Sequence, residues 1–200
     1  ADAGAPNNVA TCVCDPLIND CVMTCTQTIN LNSGWNLISL DVSLADKTIQ
    51  NDFGGLQSNN LQFITSFDNG ALTYDPFGPP FLNTLKEVTD GFGYWVKVQS
   101  ADVLIVEGDC IADNFRKPLD AGWNLVAYPP DAPQPPAMYF TDLISNNNLE
   151  FVTGFNVGTK TFNPNGPPFL NTILQMENGF GYWVKVSNPA IKKANDLINE

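Results

Sequence analysis

Five cysteines are the residues of this chain with the clearest chemical potential. Four crowd one short segment and the fifth stands apart, at Cys12, Cys14, Cys21, Cys25 and Cys110. Clustered cysteines in a small polar chain are typical of disulfides in an exported protein. A zinc knuckle is the alternative, but its cysteine pairs are about two to four residues apart, which the C-x-C pair here does not match. Because the number is odd, one thiol is free or bonded to another chain.

Acidic side chains could form the carboxylate pair of a glycosidase. Four candidates occur between residues 75 and 107, but three of them are replaced by asparagine 88 residues later. The chain contains no histidine, which excludes Ser-His and Cys-His nucleophiles. We therefore expect no enzyme, no cofactor and no metal, since a calcium site at Asp68, Asn69 and Asp75 would lack the EF-hand spacing. The carboxylate candidates are Asp75, Glu87, Asp90 and Glu107, and the replacing residues are Asn163, Asn178 and Asn195.

Aromatic side chains, which make up 11% of the chain, could stack on sugar rings. Tyr74, Trp95 and Trp183 are the candidates for such a platform. Lys97 and Lys185 would be its polar partners. The alternative is that these aromatics only fill hydrophobic cores.

The chain is acidic, with a formal net charge of −12. Such a charge repels nucleic acids and anionic membrane surfaces. The longest β-like apolar run, VLIV at 103–106, is far below the ~20 residues of a membrane span, so we expect no membrane insertion. Only 15% of the residues are charged, and asparagine, glycine and proline are abundant, which is typical of a turn-rich β protein. The chain begins Ala1-Asp2-Ala3, which suits a mature chain cut from an exported precursor, or a trimmed one.

An internal duplication organises the sequence. The octamer GFGYWVKV at 91–98 recurs at 179–186, an offset of 88 residues. The same offset carries GPPFLNT at 78–84 onto 166–172, without a gap. We therefore expect two homologous β domains related by a pseudo-two-fold axis. The predicted parts are a Cys-rich N-terminal arm at 1–28, repeat 1 at 29–112 and repeat 2 at 113–200.

Each repeat should contain about five strands and one or two short helices. In repeat 1 we expect strands at 34–40, 93–98 and 102–108, and helical turns within 47–56. Residues 61–76 should form a hairpin, because Asp68-Asn69-Gly70 supplies turn residues that tolerate positive φ.

The octamer itself reads as a strand with two different faces. Phe92, Tyr94, Val96 and Val98 should face a core, because alternate residues of a strand point to the same side. The other face carries Gly91, Gly93, Trp95 and Lys97. The glycines there leave room for the Trp95 indole or for a crossing backbone, and Trp35 is the expected neighbour of that indole. The repetition is thus interpreted as architecture rather than chemistry.

The order GWNLISL, hairpin, GPPFLNTL, GYWVKV and closing strand resembles the GWNL…GYWV β-repeat of exported bacterial and archaeal surface proteins. The resemblance covers about residues 29–110 and 117–186. It implies extracellular or cell-surface placement and a non-catalytic module, and it implies no particular ligand.

The two copies differ at their last strand. Leu104 and Ile105 of repeat 1 become Lys192 and Lys193 in repeat 2, and residues 188–198 have the spacing of a helix that begins with proline. Repeat 2 should therefore lack its closing strand and expose a sheet edge, unless this helix covers the edge. The β-prone arm could complete such a sheet in its own chain or in the next. The arm residues expected to do so are Val9, Thr11, Val13, Val22, Thr24 and Thr26.

Three functions follow as hypotheses. The first is an extracellular structural subunit that self-associates into a filament or surface layer through the arm, and through disulfides if the odd cysteine is used. The second is a secreted carbohydrate-binding module with an aromatic platform. The third is a protein-binding adhesion domain.

Overall fold

The computed structural model describes residues 7–15, 20–56, 59–111 and 115–193. This part of the chain is mainly β, which confirms the predicted fold class. The three helices, each of four or five residues, are α1 (Ile49–Asp52), α2 (Pro136–Tyr139) and α3 (Thr141–Ser145). The strands are β1 (Asn7–Asp15), β2 (Asp20–Leu31), β3 (Gly34–Ser39), β4 (Val42–Ser43), β5 (Leu61–Phe67), β6 (Ala71–Tyr74), β7 (Gly93–Val98), β8 (Asp102–Cys110), β9 (Arg116–Leu119), β10 (Gly122–Ala127), β11 (Leu149–Phe155), β12 (Thr159–Phe162), β13 (Gly181–Val186) and β14 (Ala190–Lys193).

Each repeat is built on one four-stranded antiparallel sheet. The strand order is β3-β7-β5-β6 in repeat 1 and β10-β13-β11-β12 in repeat 2. The registers match at the 88-residue offset, since Gly34 pairs with Val98 and Gly122 pairs with Val186. We call these the main sheets. The duplication seen in the sequence is therefore a duplication of strand topology and register.

The N-terminal arm belongs to a second sheet of repeat 1. Its strands β1 and β2 form an antiparallel hairpin, and β2 pairs with β8 from Thr24–Asp109 to Leu31–Asp102. A disulfide joins Cys25 to Cys110, so Cys25 is not available as a ligand of a zinc knuckle. The side chains of the other three cysteines, Cys12, Cys14 and Cys21, are not among those that the structure describes. The arm thus extends the second sheet of repeat 1 and not the sheet of repeat 2 that we predicted it would complete. Strand β2 also crosses the predicted boundary at residue 28.

Repeat 2 does have a closing strand. Residues 190–193, which we predicted to be helical, form β14 and pair with β9; the rest of the predicted helix lies outside the described residues. Lys192 is only 5% exposed, and its Nζ lies 4.0 Å from the centre of the Tyr139 ring. A lysine can occupy a strand in this way because its alkyl stem packs like an apolar side chain while its ammonium meets an aromatic face. The helical prediction was wrong because it rested on the residue spacing within 188–198, which carries no information about this ring.

Each repeat has its own hydrophobic core, which lies between its main sheet and its second sheet. Ile29 and Leu104 of the second sheet and Val96 of the main sheet are at most 4% exposed in the first core. Helix α1 contributes Ile49 to this core. Helices α2 and α3 cover the second core, with Phe140 between them only 1% exposed. Two cores of this kind leave one face of each main sheet uncovered by its own repeat.

Candidate functional site

The uncovered faces of the two main sheets pack against each other. Isolated antiparallel bridges join Ile38 to Phe180 and Phe92 to Val126, and these two pairs are related by the 88-residue offset. Gly181 lies so close to the other repeat that an added Cβ would come within 2.6 Å of the Ile38 carbonyl oxygen. At Gly93 the added Cβ would come within 3.1 Å of the Val126 carbonyl oxygen. Gly93 and Gly181 of the octamer therefore make room for a crossing backbone, one of the two roles that we predicted for the octamer glycines, and the contact is pseudo-two-fold.

Two rows of aromatic rings flank this contact. Adjacent rings in each row have centroids 5.2 to 6.3 Å apart, within the range of favourable edge-to-face contacts. Each row begins in one repeat and ends on the hairpin of the other. The rows are Phe63–Trp35–Trp95–Phe155 and Phe151–Trp123–Trp183–Phe67. The rings thus connect the main sheets and bring the tip of each hairpin beside a tryptophan of the opposite repeat.

A tight turn presents Trp123, the neighbour of Trp183 in its row, to solvent. In repeat 2, Gly122 has φ 95°, a left-handed conformation that favours glycine. The Asn124 side chain closes the turn, because its Oδ1 accepts a hydrogen bond from Asp120 N at 2.9 Å and its Nδ2 donates to Asp120 O at 2.8 Å. Trp123 between them is 40% exposed. The GWN motif therefore fixes the backbone while leaving the indole accessible.

We call the space beside this indole the Trp123 cleft. Its volume is about 500 Å³, within the ~300–1,000 Å³ of small-molecule sites. Trp123, Lys117 and Asp120 of repeat 2 and Phe67, Asp68 and Asn69 of repeat 1 line it. The cleft combines aromatic faces with carboxylates, an amide and an ammonium, so it can both stack on a ring and hydrogen-bond to hydroxyl groups.

Lys117 is the only lysine among the described residues that line the Trp123 cleft. Its Nζ lies 3.1 Å from the centre of the Phe92 ring. Burial lowers the pKa of Lys117 to about 8, while Asp68 and Asp120 act in the opposite direction. The ammonium is therefore still mostly protonated at pH 7 and is held over an aromatic face. The carboxylates of Asp68 and Asp120 make no hydrogen bond to another described side chain, which leaves them available to a ligand.

The pseudo-two-fold axis generates a second space, which we call the Trp35 cleft. Trp35 is 42% exposed and its turn is closed by Asn36 in the same way. The volume is only about 30 Å³, and Asn156 and Val157 take the places of Asp68 and Asn69 in the lining. The Trp35 cleft is therefore too small for a sugar ring, although its tryptophan is as exposed as Trp123.

The predicted platform residues do not form one platform. Tyr74 is a core residue, 8% exposed, so its prediction as a stacking residue was wrong: its side chain points inward from the edge strand β6. Trp95 and Trp183 are half-buried within the aromatic rows. Lys97 lies 5.9 Å from the Trp35 ring, and Lys185 forms an ion pair with Glu150 at 2.6 Å. Trp35 is the neighbour of Trp95, as predicted. Sequence reasoning missed that Trp35 and Trp123 are the exposed tryptophans, for which the signal is the glycine before and the asparagine after each of them.

Two of the four carboxylates considered for catalysis, Asp75 and Asp90, have local structural partners. Asp75 Oδ1 accepts hydrogen bonds from Phe77 N and Gly78 N, both at 2.9 Å. Asn163 accepts one from Asn165 N in the same turn of repeat 2, which explains why an amide can replace this acid. Asp90 forms an ion pair with Lys47 at 3.0 Å. Among the residues that the structure describes, no three acidic, cysteine or histidine side chains gather as metal ligands.

Comparison with known proteins adds no identification, since no family, no curated protein and no solved structure matches this chain. The resemblance to the GWNL…GYWV repeat therefore stays a prediction. In the described ranges, none of the helices has the length and apolar character needed to cross a bilayer.

Proposed function

We propose that this chain is an extracellular, non-catalytic protein that binds carbohydrate in the Trp123 cleft. The observation that carries the proposal is an exposed tryptophan, fixed by its own turn, at a cleft of about 500 Å³. Sugar rings present apolar C–H faces and a rim of hydroxyls. Trp123 and Phe67 suit the faces, and Asp68, Asn69 and Asp120 suit the hydroxyls.

The extracellular part of the proposal is supported by the cysteines. The Cys25–Cys110 disulfide is of the kind that persists in oxidising compartments. The acidic charge of −12 disfavours polyanionic partners. A neutral oligosaccharide is therefore a better match for the Trp123 cleft than a nucleic acid.

The test is isothermal titration of a panel of soluble hexasaccharides built from glucose, xylose, mannose and N-acetylglucosamine. Trp123→Ala should weaken the best ligand at least about tenfold, since loss of one stacking aromatic costs more than 1 kcal/mol at a binding site. Trp35→Ala is the matched control, because it removes an equally exposed indole from the small cleft. It should leave the affinity unchanged.

Two results would contradict the proposal. One is that no member of the panel binds, and the other is that Trp35→Ala reduces the affinity as much as Trp123→Ala does. Phe67 lines the same cleft from repeat 1, so Phe67→Ala should also weaken carbohydrate binding. This result would distinguish binding in the cleft from binding elsewhere on repeat 2.

Self-association by strand addition is the second candidate function, and one observation favours it. Strand β1 is the outer strand of its sheet and, in the described part of the chain, pairs only with β2. An open edge strand can accept a strand of another chain. The sequence analysis proposed that the arm is donated to a neighbouring molecule. For that exchange, the arm would have to separate from β8, with which its strand β2 pairs in this structure.

Size-exclusion chromatography with light scattering tests this candidate. Lys or Pro placed at alternate positions of β1 blocks an edge strand. If strand addition operates, such variants should be monomeric where the unmodified chain is not. Oligomers that persist in them would contradict it.

A further inference from the structure

Two loops of identical sequence expose apolar side chains that the fold does not use. GPPFLNT forms a 3-10 turn at Pro80–Leu82 in repeat 1 and at Pro168–Leu170 in repeat 2. Phe81 is 83% exposed and Phe169 is 81% exposed, the highest values among the large apolar residues described. Leu82 and Leu170 beside them are 59% and 56% exposed. We call these two loops the PFL tips.

The asparagine and the threonine of the motif have structural reasons to be the same in both copies. Asn83 clamps the first tip, since its Oδ1 accepts a hydrogen bond from Asp75 N at 2.8 Å and its Nδ2 donates to Asp75 O at 3.1 Å. Asn171 does the same to Asn163 in the second tip. The threonines bond to the neighbouring strand, with Thr84 Oγ1 accepting from Thr73 N at 2.9 Å. These contacts make each tip rigid, but none of them involves the phenylalanine or leucine side chain.

Exposed positions around the tips have changed between the copies. Phe77 becomes Asn165 and Lys86 becomes Leu174. The exposed Phe-Leu pair has not changed, although burying a Phe or Leu is what normally makes it useful to a fold. A rigid, duplicated and exposed apolar pair therefore indicates contact with another molecule.

Charge indicates which molecule fits. Residues 76–85 and 161–176 contain no charged side chain, although the chain as a whole carries −12. Two copies of so acidic a chain repel each other over most of their surfaces. The tips are the surfaces where a second copy can approach with least repulsion.

We propose that the two PFL tips are self-association surfaces, each of which packs against a PFL tip of a second copy of this chain. Because one molecule has two tips, pairing of each tip with a different copy builds an open linear assembly. This surface is separate from the Trp123 cleft and does not depend on carbohydrate binding.

The exposed area predicts weak pairing. Phe77, Phe81 and Leu82 together expose roughly 400 Å² if a fully exposed phenylalanine presents about 200 Å². A contact between two tips would bury at most about 800 Å², below the ~1,200 Å² of stable interfaces. Assembly should therefore depend steeply on concentration and require measurements up to about 1 mM.

Sedimentation velocity over a concentration series tests the proposal with three variants. Phe81→Ser with Leu82→Ser removes the first tip, Phe169→Ser with Leu170→Ser removes the second, and the combined variant removes both. We expect the unmodified chain to form species larger than dimers, each one-tip variant to stop at dimers, and the two-tip variant to remain monomeric. Near-ultraviolet circular dichroism should be the same for all four proteins, because the replaced side chains are exposed.

Three outcomes would overturn the proposal. The unmodified chain could remain monomeric throughout the series, or the two-tip variant could assemble as well as the unmodified chain does, which would assign assembly to the β1 edge. The third is binding of the monomeric unmodified chain, but not the two-tip variant, to phosphatidylcholine vesicles, which would assign the tips to lipid. Titration of the Trp123 cleft in the two-tip variant shows separately whether carbohydrate binding holds.

Discussion

Residues of the same type have different roles in this molecule according to what surrounds them. Trp35 and Trp123 are almost equally exposed, yet only Trp123 stands beside a space that can hold a sugar ring. The difference comes from the residues contributed by the opposite hairpin. Val157, which takes the place of Asn69, has φ 55°, an unfavourable conformation for a β-branched residue. Repeat 2 therefore tolerates local backbone strain in the turn between β11 and β12, which borders the Trp35 cleft.

Asp52 is a second residue whose surroundings determine its chemistry. Its Oδ2 is buried without a hydrogen-bond partner among the described residues. Burial, and to a smaller extent the negative charge of Asp46, raises the pKa of Asp52 to about 7. A carboxyl group with a raised pKa holds its proton more tightly in the folded state than in the unfolded state. Its contribution to stability is thus fully present below about pH 4 and is lost as the pH rises to about 7.

Asp52→Asn should remove this dependence. At pH 8 the variant should unfold with a free energy higher than that of the unmodified chain by on the order of 1 kcal/mol, after allowance for the solvent that screens a part-exposed carboxyl. At pH 4 the two proteins should have nearly equal stability. Urea unfolding followed by circular dichroism at both pH values checks this. A stability difference that is the same at pH 4 and pH 8 would show that the Asp52 carboxyl does not titrate in this interval.

At the scale of the elements, the octamer strands β7 and β13 depend on glycine for the approach of the other repeat. A Cβ at position 181 would lie 2.6 Å from the Ile38 carbonyl oxygen, which is a backbone atom. A Cβ at position 93 would first meet the Leu125 side chain, at 3.0 Å. Backbone moves less readily than the end of a side chain, so the two glycines should differ in their tolerance of alanine.

We therefore expect Gly181→Ala to destabilise the protein by about 2–3 kcal/mol and Gly93→Ala by about 1 kcal/mol, in the range of overpacking substitutions. Gly55→Ala is the matched control, because a Cβ there would meet nothing within 4 Å. It should be neutral or slightly stabilising. Differential scanning calorimetry measures all three. An equal effect at positions 55 and 181 would mean that the repeats are not held together through the octamer.

The elements also show what could be read from the sequence. The hairpin β5–β6 was predicted correctly because its turn residues act locally, and Asn69 indeed has φ 51°. The inward face of β7 was predicted correctly, because alternation alone places Tyr94 and Val96 in the core. Strand β14 was missed, since its Lys192 is accommodated by the Tyr139 ring, which lies far away in the sequence. The Trp123 cleft was missed because Phe67 comes from the other repeat, and no local pattern encodes that packing.

At the scale of the whole molecule, one buried network joins the arm to both repeats. Gln27 of β2 is fully buried, and its Nε2 donates to Asn178 Oδ1 at 3.0 Å and to Ser39 O at 3.3 Å. Asn178 Nδ2 in turn donates to Asp41 Oδ2 at 2.8 Å and to Pro129 O at 2.9 Å. Networks of buried polar groups are rigid when all members are satisfied and costly when one is withdrawn. The position of β2 should therefore affect the contact between the repeats.

The Cys25–Cys110 disulfide fixes β2 in this position across a sequence separation of 85 residues. Closing a loop of that length restricts the unfolded chain strongly, and the loss of such a bond typically costs about 2–4 kcal/mol. Replacing both cysteines by serine, which leaves no unpaired thiol from this bond, should lower the free energy of unfolding in urea by this amount. Hydrogen exchange should accelerate first at the β2 amides from 24 to 31 and at Asn178 and Ser39, and last in β11. Uniform acceleration over the chain, or none at Asn178, would show that the arm is fastened to repeat 1 without reaching repeat 2.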